Sequence, residues 1–222
     1  MRVDRCTLAA IAPYAVWMAL MFALPATGAA YALRSAATAA ALVWSWRVLG
    51  RGESPGGRDA CVASVLSVAL ATGLAVAFVW IAPERFSWYR EWMVVGGAGA
   101  AQGASPYSPD VCGWSLTLAR LAGSAFVIAP AEELFFRSFL YRRLVSADWR
   151  AVPPRRFDWT AFLWTTGLFA LEHDRIAVAA VAGAAYLFAY VRAGFAAAAL
   201  AHCITNFALG AYVVATGSWN FW

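Results

Sequence analysis

The chain has 222 residues, of which 63% are hydrophobic and 13% charged, with a mean hydropathy of +0.63. Soluble domains carry about 25% charged residues, so the composition excludes a soluble globular protein and indicates an all-α, polytopic transmembrane helix bundle. The net charge of +5 comes from arginine without a single lysine; these arginines lie between apolar segments, where they set topology, and no soluble domain accompanies them, which excludes a nucleic-acid partner.

A helix needs about 20 apolar residues to cross the hydrocarbon core. Seven stretches are read as spans: 8–24, 29–49, 60–82, 113–141, 158–173, 176–191 and 193–216. The first follows a basic start and precedes Ala26-Thr27-Gly28-Ala29-Ala30, a pattern similar to a signal peptide; the apolar segments downstream make it an uncleaved first span. The second contains Arg34, and the third has no charge between Ala60 and Ala82. Between the third and fourth, Arg85 to Trp92 is aromatic and basic, as in a segment lying in the membrane interface. The stretch Gly96–Pro109, with its Gly99/Gly103 pair, is expected to be irregular. The fifth and sixth spans are short. Loops on the N-terminal side hold 11 arginines and those on the opposite side 3, which puts the N-terminus in the cytoplasm. An arginine-only, alanine-rich composition points to a GC-rich bacterial genome, hence a multi-pass protein of the bacterial inner membrane. The chain divides into N-terminal helices with an external loop (1–112) and a helical core (113–222), within one membrane domain. Its four cysteines form no CxxC pair and no metal-ligand spacing.

An ionisable side chain at membrane depth costs roughly 2.5–3.5 kcal/mol, so those kept there call for an explanation. The fourth span reads Glu132-Glu133-Leu134-Phe135-Phe136-Arg137, preceded by Pro130, which removes a backbone donor and frees carbonyls just before the acidic pair. Glu133 and Arg137 are four apart, acid first, the favourable order for a helical ion pair. Glu132 points about 100° away and stays free to act as a base. The only histidines are His173, one turn after Phe169 at the end of the fifth span, and His202, with Asn206 one turn later. His202 and Asn206 project from one face, where two donors can meet an oxyanion. Singly, each has an ordinary reading: a structural ion pair, an interfacial histidine, polar contacts between helices. Together they point to chemistry.

The ordered motifs Glu132-Glu133-x-x-x-Arg137, Phe169-x-x-x-His173 and His202-x-x-x-Asn206 resemble the pattern of the CAAX-protease and bacteriocin-processing (CPBP) family. Its members are membrane-embedded endopeptidases related to the enzyme that trims prenylated CAAX proteins. The resemblance runs from about Ala129 to Leu209 and includes Tyr190-Val191-Arg192-Ala193-Gly194, similar to a short turn between the last two core helices. The small size is also similar to a bacterial branch, the CAAX prenyl protease-related proteins found near exosortase and PEP-CTERM sorting systems. The resemblance implies that Glu132 activates water with Glu133 and Arg137 in support, that His173 helps position the water, and that His202 and Asn206 bind the oxyanion. The implied substrate is a membrane-anchored or lipidated protein cut near its C-terminus. Members are often described as metalloproteases, and His173, His202 and Glu132 could supply three zinc ligands with an open fourth position; a metal-free carboxylate mechanism is equally consistent, and there is no His-Glu-x-x-His helix. Two other classes compete: a non-catalytic immunity or partner-binding protein on the same scaffold, and a transporter with a proton relay, which the lack of a visible inverted repeat disfavours. Depth sets one further condition. Glu132 and His202 lie roughly 15 Å from their cytoplasmic helix ends and His173 about 22 Å from Asp158 at 1.5 Å per residue, so the fifth helix must start below the surface, tilt or break.

Overall fold

The computed structural model describes residues 4–50, 61–95 and 105–222; the Gly99/Gly103 pair and most of Gly96–Pro109 lie outside them. Among the described residues seven helices form the bundle: α1 (Arg5–Ala23), α2 (Gly28–Leu49), α3 (Val62–Ile81), α4 (Trp114–Val145), α5 (Trp159–Leu171), α6 (Ile176–Ala193) and α7 (Phe195–Thr216). Each expected span is therefore helical, and no strand occurs among the described residues. Five of the helices (α1, α3, α4, α6 and α7) are long and apolar enough to cross a membrane. Helix α5 has 13 residues, too short to span alone, and α2 is diluted by Arg34, Ser35, Thr38 and Arg47.

Local signals set the helix ends. The Asp4 carboxylate accepts from the amides of Cys6 and Thr7 at 2.9 and 3.0 Å, capping α1. Thr27 caps α2 through the Ala30 amide at 3.2 Å, and Asp158 caps α5 through the Ala161 amide at 2.9 Å. Gly194 (φ 84°) makes the one-residue corner between α6 and α7, a conformation that L side chains resist.

Helix α3 shows the lipid-facing logic. Val62, Leu66, Leu70, Leu74 and Phe78 form an exposed apolar stripe with a four-residue period, while Ala69, Gly73, Val76 and Ala77 face the bundle. Small residues let backbones approach in a membrane. A Cβ on Gly73 would sit 2.6 Å from the Ala201 carbonyl oxygen and 2.7 Å from Ile204 Cβ, and the Thr205 hydroxyl donates to the Gly73 carbonyl at 2.9 Å. Gly167, by contrast, has open space around its missing Cβ. Gly73→Ala is therefore expected to lower the Tm of the detergent-solubilised protein by the cost of overpacking, about 1–3 kcal/mol, whereas Gly167→Ala holds or raises it. Equal Tm values for the two variants would show that the α3–α7 contact is not close.

A low start for α5 fits the depth condition: Val68, the seventh residue of α3, packs against the cluster that contains Tyr141, Ala161 and Tyr190. Two buried side chains hold the connecting segment there. Tyr141 accepts from the Asp158 amide and donates to the Arg156 carbonyl, both at 2.8 Å. Arg142 donates to the carbonyls of Val152 and Arg150 at 2.8 and 2.7 Å. At the opposite end of the bundle, Arg175 pairs with Glu84 at 2.6 Å and donates to the Asn220 carbonyl at 3.1 Å, and the Val95 amide donates to the Asp174 carbonyl at 2.8 Å. The α5–α6 turn is thus clamped, which fixes Glu172 and His173. Between α3 and α4 lies the short helix Ser87–Trp92, where Trp88, Trp92 and the preceding Phe86 are exposed.

Candidate active site

Helix α4 departs from regular α geometry around the acidic pair. Ser124–Ile128 and Leu134–Tyr141 wind as wider π turns, flanking an α-helical stretch, Ala129–Glu133. Such turns are rare and concentrate at functional sites. The first absorbs the missing donor of Pro130: the Ala129 amide bonds back five residues to the Ser124 carbonyl. That carbonyl also accepts from Asn206 Nδ2 at 3.0 Å, so it takes two donors and ties α4 to α7.

Glu133 and Arg137 are both fully buried, with Oε2 and Nε 3.2 Å apart. The pair is close but not aligned as a hydrogen bond; Arg137 makes its aligned bond with Nη2, to the Gly183 carbonyl of α6 at 3.1 Å. Gly183 fits closely there: a Cβ would meet the Phe169 ring at 3.0 Å, and the ring would have to shift slightly. The other oxygen of Glu133 lies 2.9 Å from His202 Nδ1. Glu133 therefore holds both a guanidinium and an imidazole, while Glu132 makes a longer contact without a hydrogen bond, its Oε2 3.7 Å from His202 Nε2.

Phe169 is the common neighbour. Its ring lies 4.8 Å from the His173 ring, 5.9 Å from the His202 ring and 4.4 Å from the Arg137 guanidinium carbon. Tyr186 stacks on the His202 ring at 4.4 Å. His173 Nδ1 sits 2.8 Å from the Phe169 carbonyl. A carbonyl can only accept, so Nδ1 carries the proton and Nε2 presents a lone pair. The same reasoning applies to His202 beside an ionised Glu133. The structure thus brings Glu132, Glu133, Arg137, His173 and His202 into one cluster from α4, α5 and α7, with Asn206 one turn beyond His202.

A model of the Rce1-like family, the type II CAAX prenyl endopeptidases, matches residues 114–208. Residues 114–208 are an Rce1-like domain. The match starts with α4, ends within α7 and contains every motif residue above. No curated protein and no solved structure matches the chain. The Rce1-like family is a protease family, and the apolar helices make this a multi-pass membrane protein.

The Rce1-like domain draws on residues that the motifs do not contain. Glu172, the neighbour of His173, accepts a hydrogen bond from the Tyr14 hydroxyl of α1, and Tyr14 stacks on Phe135 at 4.5 Å. A third carboxylate and a phenol from outside the matched segment thus border the site. Glu172 lies at the end of an apolar run and opens the polar stretch Glu172-His173-Asp174-Arg175, so the cost argument that singled out Glu132 marks it only weakly. Tyr14 and Tyr186 carry no such signal, because a lone tyrosine in a span reads as packing. As for zinc, no three His, Cys, Asp or Glu side chains among the described residues are grouped so that they could hold a metal ion. His202 Nδ1 and His173 Nδ1 are held by Glu133 and by the Phe169 carbonyl, which leaves the two Nε2 atoms as the ones that could ligate. His173, His202 and Glu132 are not grouped around one point in this arrangement, and no step below runs through a metal.

Proposed function

We propose that the protein is an intramembrane endopeptidase of the bacterial inner membrane that cuts a membrane-anchored or lipidated protein near its C-terminus with a glutamate-activated water. The observation that carries this reading is the unequal treatment of two adjacent carboxylates: Glu133 is bound to Arg137 and His202, and Glu132 is left without a bonded partner. A purely structural pair has no need of the second charge.

In this reading Glu132 takes a proton from water, and the oxygen attacks the peptide carbonyl carbon. His173, with its proton fixed on Nδ1, offers the Nε2 lone pair to the second proton of that water and orients it. The carbonyl π electrons move onto oxygen. Asn206 uses one amide hydrogen on the Ser124 carbonyl and has a second to offer the oxyanion. His202 must first become an imidazolium to donate, and the proton gathered by Glu132 reaches it across the short gap to Nε2. When the C–N bond breaks, that proton passes to the leaving amine, and the new carboxyl group keeps the water oxygen. Removing the reacting groups from water strengthens each of these interactions.

The test compares membrane-protein termini by mass spectrometry in the native host, with wild type against Glu132→Gln at matched expression. New termini that appear only with wild type are expected, and they would also identify the substrate. Identical termini, together with a host phenotype that survives Glu132→Gln, would reject proteolysis in favour of an immunity or partner-binding role.

A further inference from the structure

Two arginines inside the bundle take no part in the chemistry above. Arg34 of α2 is buried, Arg120 of α4 is partly exposed, and among the described residues no carboxylate pairs with either. Both guanidinium carbons lie against the Tyr31 ring, at 5.4 and 4.1 Å. Aromatic rings complete the enclosure: Arg34 lies 5.3 Å from the Trp17 ring, and Arg120 lies 4.9 Å from Tyr107 and 5.5 Å from Trp222. One face of α2 adds further polar atoms. The Tyr31 hydroxyl, Arg34 Nε, Ser35 Oγ and Thr38 Oγ1 are buried with no hydrogen-bond partner, as is Arg120 Nε. Aromatic faces offset part of the cost of burying two like charges. They do nothing for three hydroxyls and two N–H groups. An anion with several acceptor oxygens takes up donors of this kind, and a guanidinium fork matches a carboxylate two-pronged.

The enclosure lies one helical turn from Glu132 on α4 and one turn from Tyr14, which borders the site, on α1. Ile128 packs against Trp17, Tyr31 and Tyr107, and Glu132 follows four residues later, about 6 Å along the axis; Trp17 likewise follows Tyr14 by three. Gly123, whose missing Cβ leaves room for Tyr31 and Ser35, precedes the Ser124 carbonyl held by Asn206. An extended peptide advances about 3.3–3.6 Å per residue, so a chain cut at Glu132 can reach the enclosure within a few residues of its end.

We infer that Arg34 and Arg120, with the hydroxyls of Tyr31, Ser35 and Thr38, bind the free terminal carboxylate of the peptide being cut. The inference rests on the proteolytic reading and deepens it: the site selects chain ends by charge, and the aromatic walls accept an apolar last residue.

Binding, not cleavage, tests it. The detergent-solubilised full chain is titrated with N-acetyl-Val-Phe bearing a free carboxylate, with its C-terminal amide, with inorganic phosphate and with phosphatidylglycerol, following Tm by tryptophan fluorescence. The acid is expected to bind at least about tenfold tighter than the amide. Arg120→Gln, at the partly exposed position, should abolish that preference, and Arg34→Gln should do so if it folds. Glu132→Gln should keep it, which separates failure of the carboxylate site from failure of the protease assignment. Equal affinity for acid and amide would reduce the cluster to structural packing. Displacement of the acid by phosphatidylglycerol or inorganic phosphate at lower concentration would assign the site to a phosphate group and overturn the proposal.

Discussion

Glu132→Gln is expected to remove a general base and lower turnover by about 10²–10⁴-fold with the fold intact, whereas Glu133→Ala is expected to lose fold and activity together. The two positions are adjacent and carry the same side chain, but their surroundings differ. Replacing Glu132 by its amide removes a buried charge whose approach to His202 Nε2 is a loose 3.7 Å, so stability should hold or rise. Removing the Glu133 carboxylate strands the Arg137 guanidinium, which is fully buried, and frees His202 Nδ1 from its 2.9 Å contact. Leaving one member of a buried pair uncompensated costs about 3–5 kcal/mol, a large fraction of the usual 5–15 kcal/mol total. The check is the yield and Tm of each purified variant beside its turnover of the substrate found in the terminus comparison. Matched Tm values for Glu132→Gln and Glu133→Ala would show that the two glutamates share one role.

The bundle was largely legible because membrane crossing imposes a length and an apolarity that composition alone reports. All seven segments are helical, and the condition that α5 start below its neighbours follows from counting residues to His173. What fixes that low start was not legible: Tyr141 and Arg142 hold the 146–158 connection through backbone carbonyls, and carbonyls leave no trace in a sequence. The same limit applies within the site. The Glu133–Arg137 spacing implied their pairing, and Pro130 signalled a disturbed helix. The contact of Glu133 with His202 spans 69 positions, and the recruitment of Tyr14 to Glu172 spans 158; neither follows from periodicity. Arg34 and Arg120 were visible as charges within spans, but nothing in their spacing indicated that they meet on one tyrosine ring.

His202 gives the second large effect, and its two amide replacements separate structure from chemistry. Asparagine at this position sets its amide nitrogen near that of the imidazole Nδ1, so His202→Asn retains a donor to Glu133 and removes Nε2. Stability is expected to stay close to wild type, while turnover falls about 10²–10³-fold, the usual loss for an oxyanion donor. Glutamine instead sets its terminal amide near the place of Nε2 and withdraws from Glu133. His202→Gln should therefore lose about 1–3 kcal/mol through the unpaired Glu133 oxygen, and it should remain inactive, because an amide cannot accept the proton that Glu132 collects. Tm and turnover measured on both variants give four numbers with a defined pattern. An active, stable His202→Gln would mean that a fixed donor suffices at Nε2 and that no proton passes through the ring. An unstable His202→Asn would mean that the Tyr186 stack, at 4.4 Å from the imidazole, contributes more to holding α6 and α7 together than the Glu133 bond does.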